Sequence, residues 1–93
     1  MLRITVHGGE QEVRLQVEGT LIGDWVNELS RAWRSAAADL RGRTLCVDLT
    51  GTTRVDAAGF QLLTLMHQNG AGFLASGPYM RGLISEIAGG GYR

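Results

Sequence analysis

The sequence predicts a small α/β domain: a mixed β-sheet with element order β-β-α-β-α-β-α and helices packed on the sheet. Three observations carry this. The first eighteen residues alternate apolar and polar with period two, the period changes to that of a helix at Asp24, and helical segments then take turns with short apolar ones. A chain of 93 residues suits one domain, expected over residues 1–88, with 89–93 as a flexible tail.

Leu2, Ile4 and Val6 alternate with Arg3, Thr5 and His7, the pattern of a strand with one wet face. Gly8-Gly9-Glu10-Gln11 is a turn. Val13, Leu15 and Val17 then alternate with Arg14, Gln16 and Glu18, so the opening is a β-hairpin. From Asp24, a candidate N-cap, Val26, Leu29, Trp33, Ala36, Ala37 and Leu40 recur at helical spacing until Gly42. Thr44 to Leu49 is short and nearly all apolar, as in a strand covered on both faces. Residues 50–55 are read as a loop, and Asp56 to Asn69 as a second helix closed by Gly70. Gly72 to Ser76 forms a short strand, Gly77-Pro78 a turn, and Tyr79 to Ala88 a third helix.

Composition narrows the function. A domain this small buries only about 60% of its unfolded surface, which leaves little room for a large catalytic cavity. Lys plus Arg and Asp plus Glu are nine each, a net charge of zero, so there is no basic excess for nucleic acid or an anionic membrane. One cysteine, Cys46, excludes an internal disulfide and a multi-cysteine zinc site, and in Leu45-Cys46-Val47 it reads as a small buried hydrophobe. Met1–Val6 holds no charged leader ahead of an apolar stretch, and no apolar run reaches the length of a membrane span. A cytoplasmic domain without direct membrane insertion is expected.

Catalytic chemistry finds no set of residues to carry it. His7 and His67 have no second ligand at metal spacing. Ser76 lacks the Gly-x-Ser-x-Gly setting of a hydrolase nucleophile. Gly70-Ala71-Gly72-Phe73-Leu74-Ala75 precedes a strand instead of opening a helix, so it lacks the mechanism of a dinucleotide fingerprint. Asp48 and Asp56 are too few for an acid–base pair with a cleft. No catalytic residue, metal or cofactor is expected.

The informative stretch runs from Asp48 to Phe60. A strand ends, the chain turns, and Asp56 opens a helix whose first turn is Ala57-Ala58-Gly59. Small residues there let another surface approach the backbone closely, and would equally serve tight packing of helix on strand. Ala58, Leu62, Leu65 and Met66 form one stripe, expected to face the sheet. Phe60, Leu63, Thr64 and His67 form a second, expected to be a partly exposed contact surface, with core as the other reading of Leu63.

These residues resemble the hallmark of the STAS domain family, named for sulfate transporters and anti-sigma factor antagonists. The family pattern is an apolar strand ending in Asp-Leu, a short loop with a hydrophobic residue, then Asp-Ser-Ser-Gly-Leu or a close variant opening a helix. Here it is Leu45-Cys46-Val47-Asp48-Leu49, then Val55-Asp56-Ala57-Ala58-Gly59-Phe60. The element order matches across about residues 2–88, including Gly19 and Gly77. The family usually adds a further C-terminal helix, which this chain lacks or forms poorly. In regulatory members the residue after the motif Asp is a phosphorylated Ser or Thr. The matching position here is Ala57, without a hydroxyl, as is Ala58.

The resemblance implies a non-catalytic protein-interaction domain of the bacterial anti-sigma factor antagonist kind, without the usual phospho-switch. It implies partner binding by Thr52, Thr53, Asp56, Ala57, Ala58, Phe60, Leu63, Thr64 and His67. An anti-sigma or GHKL-type kinase is the first partner class, and the ATPase of a lipid-trafficking ABC transporter the second. A small-molecule or nucleotide sensor is the reading from another class, and self-association is compatible with all three.

Overall fold

A computed structural model describes residues 1–89; the tail expected at 89–93 lies outside these apart from Gly89, which caps the last helix. The chain runs β1 (Leu2–Gly8), β2 (Glu12–Leu21), α1 (Trp25–Ala37), β3 (Thr44–Val55), α2 (Ala57–Gln68), β4 (Gly72–Leu74) and α3 (Pro78–Ala88). This is the element order that the sequence predicts. The strands form one mixed sheet in the order β1-β2-β3-β4, with β1 antiparallel to β2 and the other neighbours parallel. Successive right-handed crossovers that step one way across a sheet put their helices on one face. The core is on that face: Val13, Leu15, Val17, Leu45, Val47 and Leu49 pack with Leu29, Leu62, Leu63, Met66, Met80 and Ile87.

Among the described residues nothing covers the other face, which corrects the expectation of a strand buried on both sides. Arg14, Gln16, Glu18 and Cys46 there are only partly buried, and Cys46 is not a core residue. Its thiol is nonetheless pushed up, by burial first and then by the carboxylates of Glu12 and Asp48. Among the described residues no helix is long and apolar enough to cross a membrane.

Two boundaries and one helix rotation differ substantially from the sequence reading, and β4 ends at Leu74, short of the expected Ser76. Residues 50–55 continue β3 instead of forming a loop. The polar run stays in the ladder because β3 has two extra residues relative to β2, at shifts between Gln16 and Glu18 and between Gly19 and Thr20. The Thr52 hydroxyl donates to the Val17 carbonyl (2.8 Å) and that of Thr53 to the Gly19 carbonyl (3.2 Å), occupying acceptors beside the shifts. Gly19 has φ +104°, and a Cβ there would lie 2.2 Å from the Met1 carbonyl oxygen, so only glycine fits.

The first helix ends at Ala37, ahead of the expected stop at Gly42. The Arg43 guanidinium draws the next carbonyls into a different arrangement, donating to Leu40 O (2.8 Å), Asp39 O (2.8 Å) and Gly9 O (3.2 Å). Asp24 precedes α1 but makes no capping bond, for its backbone is already helical (φ −66°).

The second helix is rotated from its expected setting. Gly59, Leu62, Leu63 and Met66 form the buried stripe, whereas Ala58 and Leu65 face outward. Leu63, expected as a contact residue, has no exposed surface, and Leu65, expected in the core, is 44% exposed. The cause is Gly59. A Cβ on it would lie 2.6 Å from Leu21 O and 2.9 Å from Val55 Cγ1, so the helix backbone itself lies against the ends of β2 and β3 there. That approach sets the rotation, and a hydrophobicity count cannot see it because glycine has no side chain.

Gly59→Ala therefore inverts the usual effect of adding a methyl to a helix. Alanine would gain about 0.5–1 kcal/mol in propensity, but the clash should cost more, for a net loss of about 1–3 kcal/mol and a lower midpoint in thermal unfolding. Leu63→Ala should cost about 2–5 kcal/mol, and Leu65→Ala less than about 0.5. Equal losses at 63 and 65 would contradict the rotation.

Candidate functional site

The site is built where the parallel strands end. Each helix follows the carboxyl end of a strand, β2 into α1, β3 into α2 and β4 into α3, so the three N-termini share one edge of the sheet. Open parallel sheets place their binding surfaces at such an edge.

Asp56 ties this edge together. Its backbone is extended (φ −88°, ψ −177°) as an N-cap requires. One carboxylate oxygen accepts the Gly59 N–H (2.8 Å) and caps α2; the other accepts the Gly23 N–H (2.8 Å) in the loop before α1. Its own N–H donates to Leu21 O (3.2 Å). The carboxylate thus joins two loops distant in sequence. These bonds hold its pKa below the usual carboxylate value, the Gly23 amide first and the Gly59 amide second.

The residues expected at the site divide by burial. Ala57 and Ala58 are exposed on the first turn of α2, and Thr53 is exposed beside them. Phe60, Thr64 and His67 are half-buried on the flank; the Thr64 hydroxyl donates to Phe60 O (2.9 Å), and the His67 ring lies 6.3 Å from that of Phe73. Thr52 is 5% exposed with its hydroxyl spent inside the fold, and Leu63 is buried. Neither can reach a partner: the bulged ladder turns the first inward, and Gly59 rotates the second there. The sequence reading missed three exposed residues: Trp25 (40%) on the first turn of α1, Tyr79 (55%) on the first turn of α3, and Leu65 on α2. Trp25 and Tyr79 each open a helix, and the order of helices at this edge is a property of the sheet alone.

Asp48 is engaged elsewhere, on the uncovered face. It accepts from the Thr50 hydroxyl (2.6 Å), the Thr50 N–H (2.9 Å) and Arg14 (3.2 Å). Burial pushes its pKa up, but the Thr50 bonds and the Arg14 charge outweigh that and hold it below the usual value. His7 is on the same face, 2.7 Å from Gln16 Oε1. Among the described residues no group of three or more His, Cys, Asp and Glu side chains could hold a metal ion.

The family model described as "Mlab, STAS domain" matches residues 4–73. Three solved structures are similar in fold. An anti-sigma factor antagonist from Mycobacterium paratuberculosis superposes with a TM-score of 0.81 at 20% identity, over 96% of this chain and 79% of the other. The anti-sigma factor antagonist SpoIIAA, in its unphosphorylated form, gives 0.66 at 16% identity, over 92% and 83%. An antisigma-factor antagonist STAS domain from Rhodobacter sphaeroides gives 0.58 at 20% identity, over 82% and 86%. No curated protein matches the sequence.

Two depressed carboxylates set the acid stability. A group whose pKa is lower in the folded state stabilises it above the unfolded value, near 4, and that contribution is lost as pH falls through it. The thermal midpoint should be level from pH 7 to about 5 and drop below about 4. Asp56→Asn removes one titrating group and the acceptor for Gly23, so its midpoint should be lower at pH 7 and its acid decline shallower. Parallel curves for parent and variant would contradict the assignment.

Proposed function

The chain belongs to the STAS domain family, and on that premise we propose that it is a non-catalytic regulatory domain of the bacterial cytoplasm. In this reading it docks a protein partner on the first turn of α2, as an anti-sigma factor antagonist does. The observation that carries the proposal is the use of Asp56. Its carboxylate is spent on Gly23 and Gly59, which leaves Ala57 and Ala58 as a smooth, exposed and uncharged platform. A flat surface of small side chains admits close approach of another backbone, and the neighbouring Thr53, Phe60, Thr64 and His67 form its border. Asp56 acts here as a positioning residue and not as a contact.

An anti-sigma or GHKL-type kinase is the first partner class, supported by the fold likeness to anti-sigma factor antagonists. An accessory subunit on the ATPase of an ABC transporter is the second. It is favoured by the matching family model, whose description is Mlab-type, and by Ala57, which offers a kinase no hydroxyl. Either partner would meet a domain held permanently in its binding-competent state, so control would lie in abundance or in the partner. Affinity capture from the native cell, read by mass spectrometry, separates the two classes.

A charge at position 57 tests the docking surface. A phosphate would bring a charge of about −1.5 to −2, which a helix N-terminus tolerates because its free N–H groups and dipole favour anions. The fold should survive, and docking should fail through the cost of burying an unpaired charge. Ala57→Glu is expected to leave the thermal midpoint within a few degrees and to weaken binding of the captured partner at least tenfold, or ~1.4 kcal/mol. Unchanged affinity would move the docking surface elsewhere.

A further inference from the structure

The three helices are fastened to the rest of the chain in different ways. The loop before α1 is tied to Asp56 by the Gly23 amide, and the segment after α1 is tied by Arg43 to Gly9 O and by the Thr44 N–H to Gln11 O. α2 starts at Asp56, whose N–H donates to Leu21 O and whose carboxylate reaches Gly23. Among the described residues, no hydrogen bond and no ion pair joins residues 77–89 to any other part of the chain. α3 is held by one apolar stripe alone. Met80 and Ile87 are buried at its two ends and Leu83 and Ile84 half-buried between them, against α2 and β3.

α3 is also a weak helix by its own sequence. No side chain caps its N-terminus, its first turn has no acidic residue and its last turn no basic one. Arg81 lies close to the start and Glu86 in the last turn, the reverse of what the helix dipole favours. Gly82 stands in the middle. A Cβ there would meet nothing within 4 Å, so this glycine, unlike Gly19 and Gly59, answers to no contact in the fold. A glycine inside a helix loosens it relative to alanine. α2 is the opposite case, capped by a carboxylate and free of glycine after its first turn.

We propose that α3 is a strap, which unwinds and leaves the folded domain as a unit while the sheet, α1 and α2 stay in place. Cooperative openings smaller than global unfolding occur where an element has few ties to the rest. Ser76 and Gly77, both exposed between β4 and α3, are the pivot. Release takes Met80, Leu83, Ile84 and Ile87 away from α2 and β3 and bares an apolar flank on the helix that carries Ala57 and Ala58. The Asp56 bonds reach only Gly23, Gly59 and Leu21, so they survive in the open form. Tyr79, exposed on the first turn of α3, leaves with the strap. This end of the sheet therefore has a closed form that presents Tyr79 and an open form that presents the flank of α2 instead.

Native-state hydrogen exchange on the full chain, followed amide by amide by NMR, tests this. The protected amides of α3 should exchange as one set, about a hundredfold or more faster than those of β2, β3 and α2, and with a weaker dependence on added urea. Two variants separate release of the strap from global unfolding. Val13 is buried in β2, outside the strand that α3 packs on. Val13→Ala should speed exchange of the β2 and β3 amides by about tenfold or more and leave the α3 amides unchanged, since the open form keeps Val13 buried. Gly82→Ala should slow every α3 amide by about two- to fivefold. α3 amides that exchange at the rate of the core, or that accelerate in step with it in Val13→Ala, overturn the proposal. So does a Gly82→Ala variant that protects only the turn around it, since that shows local fraying and no release as a unit.

Discussion

One carboxylate holds together the end of the sheet from which the helices start. Asp56 stands where β3 hands over to α2, and its two oxygens accept amides from the start of α2 and from the loop before α1. Without it the ends of β2 and β3 would carry two independent loops. With it, they carry a single platform whose polar groups are satisfied from within. Charged acceptors make stronger hydrogen bonds than neutral ones, which is why an Asp suits the position better than the Ser or Thr that would also cap a helix.

The platform depends equally on what is missing from it. Gly59 lets the helix backbone lie against Leu21 and Val55, and this contact turns Leu62, Leu63 and Met66 into the core and Ala57, Ala58 and Leu65 out of it. Small residues therefore do two separate jobs within three positions: the glycine permits packing inward, and the alanines leave the outward surface flat. The polar run at residues 50–55 contributes by staying in the ladder. Its threonine hydroxyls occupy β2 carbonyls beside the bulges, which fixes how β3 delivers Asp56 to the edge.

Much of this was legible in the residues, and the rest was hidden for identifiable reasons. The element order follows from hydrophobic period and turn residues, which are local. The capping role of Asp56 follows from an Asp ahead of an apolar helix, also local. The burial of Leu63 over Leu65 does not, because both stripes of α2 are apolar and the choice is made by a long-range contact through a glycine. The strand state of residues 50–55 is likewise imposed by pairing with β2. The early end of α1 is imposed by the Arg43 guanidinium. Trp25 and Tyr79 became candidates only once the sheet order put three helix starts on one edge. Sequence patterns report what a segment prefers, and each of these outcomes was decided by a neighbour distant in the chain.

The integrity of this end of the sheet depends on the Asp56 carboxylate binding the two loops at once. An acid titration followed by the backbone amide resonances of Gly23 and Gly59 tests it most directly. Both amides should shift together, with one shared midpoint below the ordinary carboxylate value of about 4, and neither should shift in Asp56→Asn. A Gly59 amide that titrates while Gly23 stays still would show a simple helix cap, and the single platform would have to be abandoned.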